Sequence, residues 1–261
     1  MDKVHLINHI LIDHKIAILR DETTKSKQFR EVIEEIAMLE TLEVLKDAPT
    51  KSIMVKTPLE TVEQIVIKEN SIVIVPILRA GLGMVNGVTA LLPAVKVGHI
   101  GMARNEKTLE PVEYMCKLPE NIEEKMVIVL DPMLATGGSA CAAIQALKNR
   151  GAKNIKMLNI LAVPEGIKKV TEQHPDVDVY IAKVDRCLNE KGYILPGLGD
   201  AGDRIFGTNW IKNIWLECQI FFCLKSVFNI KVKSLLFWYF FSFNSLNLIG
   251  CCIVLKGSCC L

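Results

Sequence analysis

The chain has 261 residues, of which 50% are hydrophobic and 23% are charged, and its formal net charge is +2. A chain of this length can bury one sizeable core, and its nearly balanced charge argues against a strongly basic nucleic-acid-binding protein. The first residues carry an acid at Asp2 and no long apolar run, which predicts no signal peptide and a cytoplasmic protein.

In chain order, the first predicted element is an amphipathic helix over residues 26–46, where apolar side chains recur at helical spacing. Further along, short aliphatic runs predict strands near Ile72–Pro76, Ala94–Gly101, Met126–Leu130, Ile155–Val163 and Val177–Val184. Helices are predicted between most of these strands. The alternation predicts an α/β fold with a twisted, mainly parallel sheet flanked by helices on both faces.

The first candidate ligand-binding residue is Arg79, which follows the strand of residues 72–76 and stands just before Gly81. Ligands of α/β proteins bind at the carboxyl ends of strands, and a planar guanidinium suits a pyrophosphate. A lone arginine in a surface loop is the alternative interpretation.

A second candidate is Arg104, in the polar segment that separates two strand-like runs, residues 95–101 and 112–117. This pattern is typical of a hairpin arm that closes over a ligand. It is equally typical of a solvated loop, and composition alone favours neither interpretation.

The most informative segment follows the aliphatic strand of residues 126–130, where Asp131 precedes a Gly-rich turn and a helix predicted over Ala140–Asn149. Such a turn directs backbone N–H groups and the positive end of a helix toward one point, which suits a phosphate. Its residues are Pro132, Met133, Leu134, Ala135, Thr136, Gly137, Gly138 and Ser139. Asp131 would repel a phosphate, so its carboxylate suits the hydroxyl groups of an attached ribose.

Two alternatives compete for this turn. A plain strand-to-helix turn would also use Gly and Ser. A nucleoside-triphosphate loop needs a Lys where this chain has Gly138, and the dinucleotide spacing G-x-G-x-x-G is absent.

The segment of residues 192–208 is rich in glycine, and the part from Pro196 to Gly202 predicts no regular element. Its side chains, such as Ile194 and Leu198, are too apolar for a linker. A long ordered loop is costly in entropy and usually carries function, and its exposed main chain could read the edge of a flat base. A flexible surface loop is the alternative.

Taken together, these three motifs resemble the uracil phosphoribosyltransferases of the type I phosphoribosyltransferase family, over about Val4 to Thr208. The Asp131-Pro132 pair, where many such enzymes have two acids, is similar to the uracil-specific branch. The resemblance implies the type I fold with a hood and a hairpin arm. It also implies transfer of a 5-phosphoribosyl group from phosphoribosyl pyrophosphate to uracil, giving UMP and pyrophosphate.

The resemblance further implies roles for individual residues. Arg79 and Arg104 would hold the pyrophosphate, and residues 131–139 the ribose and its 5′-phosphate. Uracil would be bound by the main chain of Ile194, Gly199, Asp200 and Ala201. The implied catalytic residues are Asp131, Arg104 and Asp200, the last also near the pyrophosphate or its metal.

Cofactors and partners follow from the same resemblance. Mg²⁺ is expected to be held mainly by substrate and water, since the protein side chains alone show no metal-ligand spacing. Some relatives are activated by GTP, which makes GTP a candidate allosteric activator. A homodimer or a higher homo-oligomer is expected, with the predicted first helix and the hood at its interface.

The functional alternative is a regulatory protein that senses phosphoribosyl pyrophosphate and uracil without catalysis. Such regulators keep the phosphate-binding turn but usually lose the base-specific hood. This chain keeps the hood, which favours an enzyme.

Residues 209–261 depart from this pattern, because they hold six of the nine cysteines and eleven of the sixteen aromatic residues. The stretch Ser234–Leu255 is uncharged and long enough to span a bilayer, so a tail anchor is one interpretation. Translation of normally non-coding sequence is favoured, because the composition is skewed and several Ser and Asn make a poor membrane centre. We predict a phosphoribosyltransferase domain at 1–208, an extension outside the fold at 209–261, and membrane contact only if that tail is genuine.

Overall fold

The structure is a computed structural model that describes residues 3–104 and 111–208. In these ranges the helices are α1 (Ile10–Arg20), α2 (Ser26–Val44), α3 (Leu82–Leu91), α4 (Gly138–Asn149), α5 (Pro164–Gln173) and α6 (Ala201–Phe206), with a 3-10 turn at Ile122–Glu124. The strands are β1 (Val4–Leu6), β2 (Thr50–Lys56), β3 (Thr61–Ile67), β4 (Ile72–Leu78), β5 (Lys96–Val97), β6 (His99–Arg104), β7 (Pro111–Lys117), β8 (Met126–Leu130), β9 (Met133–Leu134), β10 (Asn154–Ala162), β11 (Asp178–Val184), β12 (Cys187–Leu188) and β13 (Ile194–Leu195).

Nine of the described strands form one sheet, which is parallel except at one edge. Its order is β1-β11-β10-β8-β4-β6-β7, with β5 paired to β4 and β9 paired to β10. β6 and β7 run antiparallel and form a hairpin arm, whose connection at residues 105–110 lies outside the described residues. The predicted α/β fold, a mainly parallel sheet flanked by helices with a hairpin arm, is confirmed.

Both faces of the sheet are buried, because successive side chains of a strand point to opposite faces. In β8, Met126, Ile128 and Leu130 pack in one core with α1, α2 and α3. The alternate residues Val127 and Val129 pack in a second core with α4 and α5. The purely aliphatic composition of β4 and β8 therefore reflects burial on two faces, as parallel sheets require.

Several predicted boundaries are shifted in the structure. The helix predicted over residues 26–46 ends at Val44. The strand predicted over residues 94–101 is divided into β5 and β6 at Gly98, against which the Leu118 side chain packs so closely that an added Cβ would lie 2.9 Å from it.

The prediction of no regular element between Pro196 and Gly202 is wrong at its end, because α6 begins at Ala201. The Asp200 side chain accepts a hydrogen bond from the Asp203 N–H at 2.9 Å and caps this helix. Capping by an aspartate prevails here over the unfavourable helix propensity of glycine.

β2 and β3 were not predicted from the sequence. Among the described strands they pair with each other alone, as an antiparallel hairpin. Most of their residues are exposed, including the apolar Met54 (66%), Leu59 (95%) at the connecting turn, and Ile65 (74%). No helix within residues 3–104 and 111–208 combines the length and apolar character needed to cross a bilayer. The apolar stretch of residues 234–255 lies outside the described residues.

Candidate active site

The candidate site lies at the carboxyl ends of β4 and β8, which are parallel neighbours with Pro76 opposite Leu130. The turns that follow these strands, at Arg79 and Asp131, therefore meet at one edge of the sheet. Gly81 allows this approach, because an added Cβ would collide with the carbonyl oxygen of Leu130. This edge is where α/β proteins bind ligands.

The segment of residues 131–139, here called the phosphate loop, runs from β8 through β9 into α4. Gly137 has φ +74°, a conformation that favours glycine, and it precedes the first residue of α4. Behind the loop lies Gly166 of α5, where an added Cβ would collide with the carbonyl oxygen of Ala135. Thr136 and Ser139 are exposed, so their hydroxyl groups are available to a ligand at the helix N-terminus.

Asp131 is half-buried at the start of the phosphate loop. Burial raises the pKa of this carboxyl group to about 7, and a hydrogen bond of 3.3 Å from the Met133 N–H to Oδ1 opposes the rise only in part. Near neutral pH the group is thus divided between its acid and its carboxylate form. Its carboxylate form can accept hydrogen bonds from hydroxyl groups.

Asn159, a fully buried residue of β10, was not among the predicted site residues. Its Nδ2 donates a hydrogen bond of 2.6 Å to the carbonyl oxygen of Asp131. In the register of β10, it falls between Leu158, which pairs with β8, and Leu161, which pairs with β9. The side chain thus fastens the backbone where β8 passes into the phosphate loop. The available signal was a polar amide between two aliphatic neighbours, Leu158 and Ile160, in the buried part of the strand.

A cavity of about 210 Å³ opens between the phosphate loop, the turn after β4 and the segment of residues 192–208, here called the hood. Its lining residues are Ala80, Met133, Ala135, Gly192, Tyr193, Ile194, Gly199, Asp200, Ala201 and Gly202. The structure therefore brings members of the predicted phosphate-binding and base-binding sets to one cavity. Ala80, Gly192, Tyr193 and Gly202 were not among the predicted site residues.

Arg79 extends beside this cavity with a side chain that is 58% exposed. Its Nη2 lies 3.6 Å from Asp203, and its guanidinium stands 5.9 Å from the ring centre of Phe206. Because an exposed ion pair contributes little free energy, Arg79 can exchange this partner for an anionic ligand at low cost. Arg104 ends β6, but its side chain lies outside the described residues, so its predicted role stays a prediction.

Within the part of the chain that the structure describes, no group of three or more His, Cys, Asp or Glu side chains is arranged to hold a metal ion. Asp131 precedes the lining residues of the phosphate loop and Asp200 lines the cavity, while the nearby Asp203 carboxylate faces Arg79. Mg²⁺ is commonly held by one or two carboxylates, several waters and substrate phosphates. This donor set fits such an ion, provided that the substrate supplies most of the ligands.

A mainly parallel sheet with a phosphate loop after one central strand, a hairpin arm and a hood defines a type I phosphoribosyltransferase. Residues 6–208 match the family model described as uracil phosphoribosyltransferase. The chain belongs to the uracil phosphoribosyltransferase family.

Individual relatives agree with this assignment. The uracil phosphoribosyltransferase of Thermoanaerobacter sp. (strain X514) is 60% identical over 205 residues, which cover 78% of this chain and 98% of the relative. The uracil phosphoribosyltransferase of Clostridium beijerinckii (strain ATCC 51743 / NCIMB 8052) is 58% identical over 208 residues, which cover 80% of this chain and 100% of the relative. The solved structure of the AQ2163 protein from Aquifex aeolicus is 38% identical and covers 78% of this chain and 97% of its own, with a TM-score of 0.74.

Proposed function

We propose that this chain transfers the 5-phosphoribosyl group from phosphoribosyl pyrophosphate to N1 of uracil, giving UMP and pyrophosphate. The observation that carries the proposal is the cavity that the phosphate loop shares with the hood. One substrate needs a phosphate site and the other a base site, and their reacting atoms must meet. Close relatives with the same activity in their names support the proposal, whereas the regulatory alternative has no supporting observation and is not retained.

In the proposed complex, residues 131–139 hold the ribose and its 5′-phosphate, and Arg79 and Arg104 hold the pyrophosphate. The main chain of Ile194 and of residues 199–201 holds uracil. As the bond to pyrophosphate breaks, positive charge builds on the ribose ring, and the Asp131 carboxylate would stabilise that charge. Catalysis then consists mainly of positioning and charge stabilisation.

Bound Mg²⁺ would neutralise charge on the leaving pyrophosphate. The residues suited to assist in holding it are Asp131 and Asp200, with Asp200 fixed in orientation by its hydrogen bond from the Asp203 N–H. The protein's own contribution is to orient the ribose and the base toward each other.

A homodimer or higher homo-oligomer is part of the proposal. An isolated two-stranded hairpin is at best marginally stable in water, and the hairpin of β2 and β3 exposes Met54, Leu59 and Ile65. Burial of these side chains against a second copy of the chain would stabilise it. GTP as an allosteric activator stays a prediction from the family resemblance, and a cytoplasmic location stays a prediction from the sequence.

The reaction is tested by measuring UMP formation from uracil and phosphoribosyl pyrophosphate with Mg²⁺, on the full-length chain and on a chain that ends at Thr208. We expect UMP from the shorter chain. Activity in the shorter chain alone would support residues 1–208 as the catalytic domain and 209–261 as an extension outside the fold. Equal activity would leave a tethering role for the tail. If neither chain forms UMP, the proposed function is wrong.

We predict a role for Asn159 in the same reaction. Asn159→Leu keeps the side-chain size and removes the hydrogen bond to the Asp131 carbonyl, so the ribose-binding carboxylate should shift and turnover should fall by about tenfold, or about 1.4 kcal/mol. The unpaired carbonyl costs free energy, but the variant also removes Asn159 Oδ1, a buried acceptor without a partner in the described part of the chain, so the free energy of unfolding should fall by no more than about 1 kcal/mol. Steady-state kinetics and urea unfolding measure the two effects.

The matched control is Leu158→Ala, at the adjacent buried position of β10, which packs in the opposite core. It should lower stability by about 2–5 kcal/mol, yet keep the turnover of the folded enzyme. If Asn159→Leu turns over like the wild type, or if both variants lose turnover in proportion to stability, Asn159 has no positioning role.

A further inference from the structure

Outside the cavity, an ion pair between Arg20 and Asp185 forms hydrogen bonds with the backbone of the hood at Gly197. Arg20 ends α1, and Asp185 directly follows β11. The guanidinium donates two hydrogen bonds to the carboxylate, Nη1 to Oδ2 at 2.9 Å and Nη2 to Oδ1 at 2.5 Å. This bidentate (two-pronged) geometry is the strong form of the arginine–carboxylate interaction.

The same two side chains satisfy both backbone groups of Gly197. Arg20 Nη1 donates to the Gly197 carbonyl oxygen at 2.9 Å, and the Gly197 N–H donates to Asp185 Oδ2 at 3.0 Å. Gly197 has φ +60°, and an added Cβ would collide with the carbonyl oxygen of Ile194. The turn is thus held in one conformation by its own geometry and by the ion pair.

The carboxylate of the ion pair is buried, and the guanidinium is partly exposed. The Asp185 side chain is 4% exposed and the Arg20 side chain 24% exposed. Removal of Arg20 would leave the buried Asp185 carboxylate without its compensating charge. An exposed ion pair joins the same two elements at Asp13 of α1 and Lys183 of β11, with side chains 48% and 45% exposed.

A second guanidinium reinforces the turn next to Gly197. Arg204 of α6 donates to the carbonyl oxygen of Leu198 at 2.8 Å and to that of Asp21 at 2.6 Å, and it also bonds the carbonyl oxygen of Leu19. The hood is therefore fastened to the end of α1 at two places: at Gly197 through Arg20, and at Arg204 through the carbonyl oxygens of Leu19 and Asp21.

Gly197 and Leu198 lie between two parts of the cavity lining. Ile194 comes before them in the chain, and Gly199 to Gly202 come after them. Arg20, Asp185 and Gly197 are not among the lining residues. Any influence of the ion pair on a ligand must act through the position of the hood main chain. The phosphate loop, by contrast, is supported by α5 and Asn159 and makes no hydrogen bond to the ion pair.

We propose that the Arg20–Asp185 ion pair is the positioning element that sets the affinity for the base, by holding the hood main chain in register with the edge of uracil. This inference rests on the proposed function. The ion pair acts mainly on the uracil subsite, and any effect on binding of phosphoribosyl pyrophosphate, through Asp200 of the same hood segment, is smaller.

The test compares full-length Arg20→Lys and Asp185→Asn with the wild type and with the control Lys183→Met. We expect KM for uracil to rise at least about tenfold in both ion-pair variants, while KM for phosphoribosyl pyrophosphate stays within about twofold. Lys183→Met, which breaks the exposed pair between the same elements, should change neither constant. Arg20→Lys keeps the charge but loses the two-pronged geometry, so it is the variant that folds most readily.

Two further measurements separate the proposal from its premise. Amide hydrogen exchange at Gly197 to Gly199 should accelerate in the ion-pair variants and not in Lys183→Met. Titration calorimetry with uracil measures the affinity for the base without turnover. A wild type that makes no UMP would refute the proposed function. Weaker uracil binding by the ion-pair variants than by the wild type would still support the role of the ion pair. Equal rises in both KM values, or folded variants with unchanged uracil affinity, would overturn the proposal.

Discussion

Asp131→Asn is expected to lower turnover at least about tenfold, which corresponds to about 1.4 kcal/mol of lost transition-state stabilisation. Asparagine keeps the shape of the side chain and its capacity to accept a hydrogen bond from Met133, but it carries no charge. The proposed transition state places positive charge on the ribose ring beside this group. Steady-state kinetics with saturating uracil measure the effect, and wild-type turnover in the variant would exclude the proposed role.

The pH profile gives the same prediction a second, independent signature. Since burial raises the pKa of Asp131 to about 7, the carboxylate form becomes the main form only as the pH rises through that value. For phosphoribosyl pyrophosphate, kcat/KM of the wild type should therefore increase between about pH 6 and 8, because this ratio reports ionisations of the free enzyme. Asp131→Asn should lack this rise.

A suitable control is Asp176→Asn. Asp176 precedes β11 and lies at the opposite edge of the sheet, where its hydrogen bond from Lys148 lowers the pKa of its carboxyl group. Asp176 is ionised throughout the neutral range, so Asp176→Asn should have the same turnover and the same pH profile as the wild type. A rise with pH that persists in Asp131→Asn would assign the titration to another group.

The sheet could be predicted because its strands carry their own signal. β4 and β8 are short, aliphatic and bounded by turn residues, and burial on both faces is the physical reason for that composition. The phosphate loop could be predicted for a related reason. A buried strand, an acid and a Gly-rich turn before a helix are contiguous in the sequence, so the local geometry follows from the local residues.

The rest depends on contacts between distant segments. Arg20 and Asp185 are separated by 165 positions, and neither residue differs locally from any surface charge until α1 and β11 are placed side by side. Asn159 likewise acquires its role only when β10 lies beside the end of β8. The hairpin of β2 and β3 was missed because most of its residues are exposed, which leaves no alternation of buried and exposed side chains to detect.

Replacement of Glu40 by an apolar residue is expected to increase the stability of the folded chain. It lies on α2 in the core, with 0% exposure, and in the described part of the chain neither carboxyl oxygen has a hydrogen-bond partner. Burial raises the pKa of Glu40 well above its usual value, and the backbone of Ala182 opposes this rise without offsetting it. Glu40 does not line the cavity, whereas Asp131 belongs to the phosphate loop that does, so we assign Glu40 no role in the proposed reaction.

The pH dependence follows from the direction of that shift. The folded state holds the Glu40 proton to higher pH than the unfolded state does, so its contribution to stability is greatest below the unfolded pKa and is lost as the pH rises toward the folded pKa. Glu40→Met replaces the carboxyl group with an apolar side chain of similar length. We expect the free energy of unfolding at pH 7 to rise by about 1–3 kcal/mol, the usual cost of an unpaired buried polar group.

Urea unfolding at about pH 5 and about pH 8 tests both parts of this prediction, since the interval lies above the usual glutamate pKa. The gain from Glu40→Met should be larger at the higher pH. Glu31→Met, at an exposed position of the same helix, is the control for an added methionine and a lost negative charge, and it should give a small change that is equal at both pH values. If the curves of the wild type and Glu40→Met stay parallel across this interval, the carboxyl group does not take up its proton on folding. If Glu40→Met is more stable than the wild type and has wild-type turnover, the buried carboxyl group lowers stability and is not needed for the reaction.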